Sequence, residues 1–505
     1  MVRNPDVIVI GSGAGGATLT KRLSELGAEV LVIERGRPIP REPDNWNVEK
    51  VFNEKKYSPF ETWLDRRGKE FRPSTWYNFG GSTKFFGTVM TRLRARDFET
   101  VEHAEGVSPA WPIRYADIEP YYCEAEQLFG VHGDSSGDPT EPFRSAPLPY
   151  GAVGSEPFIA RVTERLRSKG LHPFPLPVAV DLHPGGKCIR CSTCDGFPCA
   201  VGGKNDAETR CLEPALKTGR VTIWEGTVAR RLLLEPDGKC IAAVEVEREG
   251  ELKTLSAKVV VLSSGAVNSA LLLLRSATDA APKGVANSSN LVGRNYMTHN
   301  LTTVMAVSPE RNPTKFQKTL AFNDFYDGDE TYRYPMGNVQ TLGKLQPGML
   351  VAGAKYLPRF VGRALTRRSL DLLVTSEDLP HRDNRVSLDG GRVRISVTPN
   401  NLMAHKRLNK KLIGILRGIG FPLVLSKTLP VNFTAAQCGT IRMGSSPIEA
   451  PLDAYCRSFD HPNLFVVDAS FFPSSGAVNP ALTIAAQALR VADHVARTEF
   501  GLTSA

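Results

Sequence analysis

The sequence predicts an α/β fold built on a parallel sheet whose strands come from the start, the middle and the end of the chain. Three apolar runs indicate these strands: Val7 to Ile10, Lys258 to Leu262 and Leu464 to Val467. Each run leads into small residues and then into a helical segment. Uninterrupted apolar runs are typical of parallel strands, because both faces of a parallel sheet are covered. Strands so far apart predict a domain interrupted by inserted sequence.

A glycine-rich turn follows the first strand. Gly11, Gly13 and Gly16 match the pattern G-x-G-x-x-G, and a helix with leucines on one face comes next. A second apolar strand then ends at Glu34. In this βαβ context the glycines permit a tight turn, close approach of a pyrophosphate and close helix packing. Glu34 can bond a ribose and would repel a 2′-phosphate, so FAD or NAD is favoured over NADP.

Length, charge and hydropathy limit the class of protein. A chain of 505 residues exceeds the size at which one core usually keeps growing, so two domains are expected. The net charge is +9 and the isoelectric point about 9.0, but the basic residues are dispersed and form no tract with aromatics. No apolar run approaches the ~18 residues of a membrane span, and no signal peptide is evident. We therefore expect a cytoplasmic protein without a nucleic-acid partner or membrane span.

Further motifs are spread over nearly the whole chain. Beyond the Gly11 to Glu34 unit they are Gly80 to Arg94, Trp111-Pro112, Tyr121-Tyr122 with Glu126, Lys258 to Ala266, Gly293-Arg294-Asn295, Gly439-Thr440, Arg442-Met443-Gly444 and Val467 through Asn479-Pro480 to Thr483. Their order resembles that of the glucose-methanol-choline (GMC) oxidoreductase family. The resemblance implies an FAD-dependent enzyme that oxidises a hydroxyl group by hydride transfer to flavin.

The resemblance also implies a fold and a domain division. An FAD-binding Rossmann-like domain is expected to interleave with an α+β substrate domain on a largely antiparallel sheet, as in GMC and p-hydroxybenzoate hydroxylase-like proteins. The FAD domain would comprise residues 1–140, 181–299 and 434–505, and the substrate domain residues 141–180 and 300–433. No histidine or cysteine lies close to Gly80, so we expect noncovalent FAD. The predicted cofactor contacts are Gly11, Gly13, Ala14, Gly15, Gly16, Glu34, Arg35, Gly80, Gly81, Ser82, Thr83, Val228, Ser264, Gly265, Asp468, Ala469, Asn479, Pro480 and Thr483.

Two positions carry the chemistry that the resemblance implies. Members of the family place a catalytic histidine in the pattern His-x-x-Gly-Thr, paired with His or Asn just before the last helix. The partner corresponds to Asn479, whose amide can hold the substrate oxygen. Its structural alternative is a helix N-cap, with Pro480 at the first helical position. The base position corresponds to Ala436, which has no proton acceptor.

Three explanations of Ala436 are open. The alanine is an engineered substitution, or a natural change that alters the chemistry, or a distant residue such as His299 supplies the base. The intact motif around Ala436 favours an engineered substitution, which predicts an inactivated variant. His299 by itself is expected to be a structural histidine at the domain junction.

A cysteine-rich loop lies before the middle of the chain. Cys188, Cys191, Cys194 and Cys199 begin with the spacing C-x-x-C-x-x-C. This start is similar to iron–sulfur ligation, but a ferredoxin has three residues before its last cysteine and a proline after it. A Cys₄ zinc site fits poorly because the spacing is too tight. A loop of free or paired thiols is therefore favoured, and no metal is expected.

The expected substrate is a sugar, glycoside or other polyol. O₂ or another acceptor would take the electrons. The alternative is a GMC-type lyase or another non-redox flavoprotein that keeps FAD as a structural ligand. A catalytically dead flavoprotein follows if Ala436 is natural.

Overall fold

The computed structural model describes residues 5–134, 136–353, 358–430, 433 and 436–503, with side chains omitted at 351–353. Its strands are β1 (Val7–Ile10), β2 (Val30–Ile33), β3 (Trp63–Leu64), β4 (Glu70–Phe71), β5 (Val101–His103), β6 (Gly106–Ser108), β7 (Val131–His132), β8 (Val178–Ala179), β9 (Val221–Trp224), β10 (Thr227–Leu234), β11 (Ile241–Arg248), β12 (Glu251–Leu255), β13 (Val259–Leu262), β14 (Asn300–Val307), β15 (Ala321–Phe322), β16 (Asn338–Thr341), β17 (Ser369–Ser376), β18 (Arg385–Asp389), β19 (Arg392–Ser396), β20 (Leu423–Thr428) and β21 (Leu464–Val466). Its helices are α1 (Ala14–Glu25), α2 (Tyr115–Phe129), α3 (Pro157–Arg167), α4 (Glu213–Lys217), α5 (Ala266–Arg275), α6 (Pro347–Gly353), α7 (Arg359–Thr366), α8 (Leu402–Gly418) and α9 (Ala481–Phe500).

A five-stranded parallel sheet has the order β21-β13-β1-β2-β9. Its three central strands are buried along their whole length, which explains their unbroken apolar sequences. The predicted α/β class and the three distant strands are confirmed. The edge strand β9 was missed, because only Val221 of its four residues is buried and the others leave no continuous apolar run.

Helix α1 lies unusually close to the strand ends of this sheet. A Cβ added at Gly15 would come within 1.8 Å of the Val467 carbonyl oxygen, and one at Gly16 within 2.1 Å of the Gly11 oxygen. These contacts confirm the close packing predicted for Gly16 and extend it to Gly15. Helix α9 packs against both α1 and α2, and its inward face is buried from Leu482 to Ala496.

The second large sheet is antiparallel, in the order β15-β16-β17-β14-β20. Helices α3 and α8 share a hydrophobic core with one face of it, through residues such as Phe158, Val304 and Leu408. A smaller sheet pairs the hairpin β18-β19 with β3 and β4. This sheet joins the segment after β17 to the early part of the chain.

One helix start differs from the expectation. Helix α5 begins at Ala266, directly after Gly265 at φ 83°. Helix α9 has Pro480 at its N-cap position, so Asn479 lies before the cap and the predicted N-cap role of Asn479 is wrong. Among the described residues, no side chain makes a cap hydrogen bond at the start of α9. In the part of the chain that the structure describes, no helix has the length and apolarity needed to cross a membrane.

Candidate active site

Three helices begin at the carboxyl edge of the parallel sheet. Helices α1, α5 and α9 follow β1, β13 and β21, and their N-cap residues are Gly13, Gly265 and Pro480. No side chain caps any of the three, and none has an acidic residue in its first turn. Their free N–H groups and helix dipoles therefore favour a negatively charged ligand at this edge.

The space in front of two of these helices is open. A Cβ added at Gly13 or Gly265 would meet no atom within 4 Å, whereas one at Gly11 would come within 2.3 Å of the Ser263 oxygen. Gly11 has φ 102°, the left-handed conformation that its tight turn requires. The backbone of this turn is open at Gly13 and is blocked at Gly11 by the Ser263 oxygen. Such a cradle fits a pyrophosphate.

Glu34 is the acid at the end of β2. Its carboxylate is buried and accepts hydrogen bonds from the Ser12 amide at 3.0 Å, the Ser12 hydroxyl at 2.6 Å and the Gly36 amide at 2.8 Å. Burial raises its pKa, and the bonds from Ser12 and Gly36 oppose that rise. A carboxylate has about four acceptor sites, so Glu34 keeps capacity for a ribose hydroxyl.

The second glycine turn, Gly80 to Thr83, lies beside Gly13. An added Cβ at Gly81 would come within 3.0 Å of the Gly13 Cα. The Thr83 hydroxyl donates to the Gly80 carbonyl at 2.6 Å and accepts from the Ala207 amide at 3.0 Å. These two hydrogen bonds fix the turn internally and against the segment at Ala207.

Asp468 connects two of the turns at the sheet edge. One carboxylate oxygen accepts from the Gly265 amide at 3.0 Å and the Ser269 hydroxyl at 2.5 Å, and the other from the Ser470 amide and hydroxyl at 2.9 and 2.5 Å. Both oxygens are thus occupied by protein donors. Asp468 orients the turn before α5 through these four bonds.

Replacing Asp468 with asparagine is expected to lower the free energy of unfolding by about 1–3 kcal/mol, because the amide would leave a buried donor unpaired. Urea denaturation measures the loss. Asp279→Asn is the matched control, since Asp279 is exposed. Equal unfolding midpoints for the two variants would contradict this role.

The remaining predicted contacts are placed as follows. The Arg35 guanidinium stacks over the Tyr77 ring at 3.9 Å, and the Ser264 hydroxyl donates to the Ile10 carbonyl at 3.0 Å. The Thr483 and Tyr122 hydroxyls are hydrogen-bonded at 2.7 Å. The Ala469 carbonyl accepts from the Gly439 amide at 3.1 Å. Val228 is half-buried in β10, Ala14 opens α1, and Ser82 lies in the second glycine turn. All these residues belong to the elements around the carboxyl edge or adjoin them.

The segment that carries Ala436 runs past this edge. Cys438 and Met297 exchange two backbone hydrogen bonds of 3.0 Å, and the Ile441 amide donates to the Ser470 carbonyl at 2.9 Å. Ala436 is half-buried at φ 54°, and Asn479 is half-buried directly before α9. Residues 434 and 435 lie outside the described part of the chain.

A buried polar network supports the loop before Asn479, and sequence reasoning missed it. Glu377 accepts from the Gly476 amide at 3.2 Å and also bonds the Ser108 hydroxyl. Burial, then the neighbouring Glu377, raises the pKa of Asp97 to about 7. The acidic pair Glu377-Asp378, which comes directly after an apolar strand, is the sequence signal that could have indicated this network.

The network continues through Tyr326. Its hydroxyl donates to Asp97 at 2.8 Å and accepts from the Ala477 amide at 3.3 Å. The backbone amide of Asp378 donates to the Ser475 hydroxyl, which in turn donates to the Asp378 carbonyl. Burial raises the pKa of the Asp378 side chain to about 8. Residues 475–477 are therefore held from several sides.

The cysteine-rich loop is anchored by charged neighbours. Lys204 is buried and donates to four backbone carbonyls, including those of Cys194 and Phe197 at 2.9 Å. Asp195 pairs with Lys318 at 2.9 Å. All nine cysteines are free thiols, and among the described residues no three His, Cys, Asp or Glu side chains are arranged to hold a metal ion.

Cys191 is expected to be the first cysteine that iodoacetamide alkylates at pH 6–7. A hydrogen bond from the Cys194 thiol, together with Thr193 and the charge of Lys204, lowers the pKa of Cys191 to about 5. The reactive thiolate therefore persists at neutral pH and disappears only as pH falls through about 5. Peptide mapping by mass spectrometry locates the label, with Cys191→Ser as the control; faster labelling of Cys240 would contradict the prediction.

The fold and the open carboxyl edge define a dinucleotide-binding protein. Comparison with known proteins identifies an FAD-dependent oxidoreductase that acts on a hydroxyl group: residues 175–301 and 427–488 match the N- and C-terminal models of the GMC oxidoreductases. The chain is 32% identical to the 6'''-hydroxyparomomycin C oxidase of Streptomyces lividus, over 97% of this chain and 92% of that protein. It is 30% identical to the paromamine 6'-oxidase of Streptomyces fradiae, over 97% and 91%.

A solved structure supports the same fold. Pyridoxine 4-oxidase from Mesorbium loti superposes with a TM-score of 0.69 at 20% identity, covering 97% of this chain and 99% of that one. The chain belongs to the GMC oxidoreductase family.

Proposed function

We propose that this protein oxidises a hydroxyl group of a sugar, glycoside or polyol, using noncovalently bound FAD. The observation that carries the cofactor assignment is the carboxyl edge with three uncapped helices and an open Gly13. The substrate class is supported by the two Streptomyces relatives, whose names specify oxidation of paromamine and of 6'''-hydroxyparomomycin C. We therefore place amino sugars first among the candidates, with O₂ or another acceptor taking the electrons.

The proposed FAD domain comprises residues 1–140, 181–299 and 434–505, and the proposed substrate domain residues 141–180 and 300–433. The five parallel strands fall within the first set and the five antiparallel strands within the second. The noncovalent attachment is supported by residues 79–94, which contain no histidine or cysteine. Acid precipitation of the holoprotein should release the flavin into the supernatant.

Each proposed residue has a role that its position supports. The first turn of α1 and the open backbone at Gly13 bind the pyrophosphate, and Glu34 bonds the adenosine ribose. Asn479 donates its amide to the substrate oxygen and orients the carbinol carbon. When bound, FAD accepts the two electrons and the hydrogen from that carbon. Ala436 stands where the family has its proton acceptor.

Anaerobic stopped-flow mixing tests the proposed function. The holoprotein and its Ala436→His variant are mixed with paromamine, neutral sugars and simple polyols, and flavin absorbance is followed. We expect bleaching by at least one amino sugar or sugar. If no compound reduces the flavin of either protein, the proposed function is wrong.

A further inference from the structure

The backbone pairing brings the segment of His299 beside the segment of Ala436. Met297 and Cys438 form an isolated antiparallel bridge in which each amide donates to the other's carbonyl at 3.0 Å. His299 lies two residues after Met297, and Ala436 lies two residues before Cys438. Because the two segments run antiparallel, His299 and Ala436 lie on the same side of the bridge. The extended conformation ends at Ala436, where φ is 54°.

The hydrogen bond of His299 determines which ring nitrogen can accept a proton. Its Nε2 lies 3.3 Å from the Ser475 carbonyl oxygen. Because a carbonyl can only accept, Nε2 carries the hydrogen and Nδ1 carries the lone pair. Burial lowers the pKa of His299, although the bond to Ser475 and the charge of Glu377 oppose this effect. The ring is therefore neutral at neutral pH and able to accept a proton.

The same loop positions His299 and Asn479. Ser475 lies four residues before Asn479, and the Gly476 amide between them donates to Glu377. On the other side, the Thr298 amide donates to the Asp378 carboxylate at 3.0 Å. Glu377 and Asp378 are the acidic groups that flank His299. A negative Glu377 would stabilise the imidazolium that forms when His299 takes up a proton.

We propose that His299 accepts the hydroxyl proton of the substrate, in place of the histidine that the family has at position 436. This inference rests on the proposed function. The O–H bond breaks and its proton goes to Nδ1 of His299, while the carbon loses its hydrogen together with the bonding electron pair, which bound FAD would accept. The carbon–oxygen double bond forms from the remaining electrons. His299 then returns the proton to solvent.

Three variants test the proposal by anaerobic flavin reduction. His299→Gln is expected to slow reduction by about 10²–10⁴, the usual worth of a general base. Adding Ala436→His to His299→Gln should restore most of the loss, because an imidazole returns to the same place. Ala436→His alone should change the rate by less than about tenfold. His405→Gln is the matched control and should leave the rate unchanged. His405 is a buried histidine on helix α8, and its ring is hydrogen-bonded to the hydroxyls of Thr302 and Ser376.

Two outcomes would overturn the proposal. A rise of 100-fold or more from Ala436→His alone would mean that no base acts in the present chain, while the proposed function would survive. A loss in His299→Gln that Ala436→His does not restore would indicate a structural role only. Absence of reduction in every variant would instead contradict the proposed function itself.

A readout independent of activity covers the case in which His299→Gln fails to fold. The ¹⁵N chemical shifts of the histidine-labelled holoprotein report the tautomer of each ring. Resonances of the other histidines are assigned from their own substitutions, so the remaining one belongs to His299. We expect hydrogen on Nε2 and a lone pair on Nδ1. Hydrogen on Nδ1 would overturn the proposal, because that nitrogen could then accept no proton.

Discussion

Replacing Gly13 with valine is expected to weaken FAD binding by roughly 100-fold while the apoprotein stays folded. A Cβ at Gly13 meets nothing within 4 Å, and its φ of −69° suits any residue. The added side chain would therefore fill only the space proposed for the pyrophosphate. Overpacking of this kind costs about 3 kcal/mol, which corresponds to roughly a 100-fold weaker binding of FAD.

The measurement is FAD titration of the apoprotein followed by flavin fluorescence, with thermal unfolding as the check on folding. Gly154→Val is the matched control, because Gly154 is also open but is exposed and lies far from the turn in sequence. Gly15→Ala provides the opposite case. Its Cβ would meet the Val467 oxygen at 1.8 Å, so it should lower the unfolding temperature. Unchanged FAD affinity in Gly13→Val would disprove the proposed cofactor position.

Replacing Asn479 with alanine is expected to slow flavin reduction by about 10²–10³, the usual effect of removing a donor to a reacting oxygen. FAD binding should persist, since the backbone before α9 is retained. Stopped-flow reduction at saturating substrate measures the rate constant. An unchanged rate would show that the amide does not contact the reacting oxygen.

Asn479→His distinguishes this role from a structural one. Histidine is the other residue that the family resemblance implies at this position, and its ring can also donate to the substrate oxygen. Asn479→His should therefore keep most of the rate that Asn479→Ala loses. If both variants lose the same rate without losing FAD, the position would serve only the start of α9.

The elements that the sequence predicted well share one property. The strands β1, β2, β13 and β21 are buried on both faces, so each is visible as a local apolar run. The glycine turn after β1 was equally visible, because its backbone requirements exclude other residues. Strand β9 was missed, since only one of its four residues is buried.

The amino-acid sequence by itself determined the family, the parallel sheet and the glycine cradle, because each depends on residues that are neighbours in the chain. It also showed that position 436 has no proton acceptor. Only the tertiary structure placed the segment of His299 beside that of Ala436 and built the network of Glu377, Asp97 and Tyr326 behind Asn479. These contacts join residues that are at least 99 positions apart in the chain. Their register depends on backbone hydrogen bonds and packing between distant segments, which local sequence patterns do not specify.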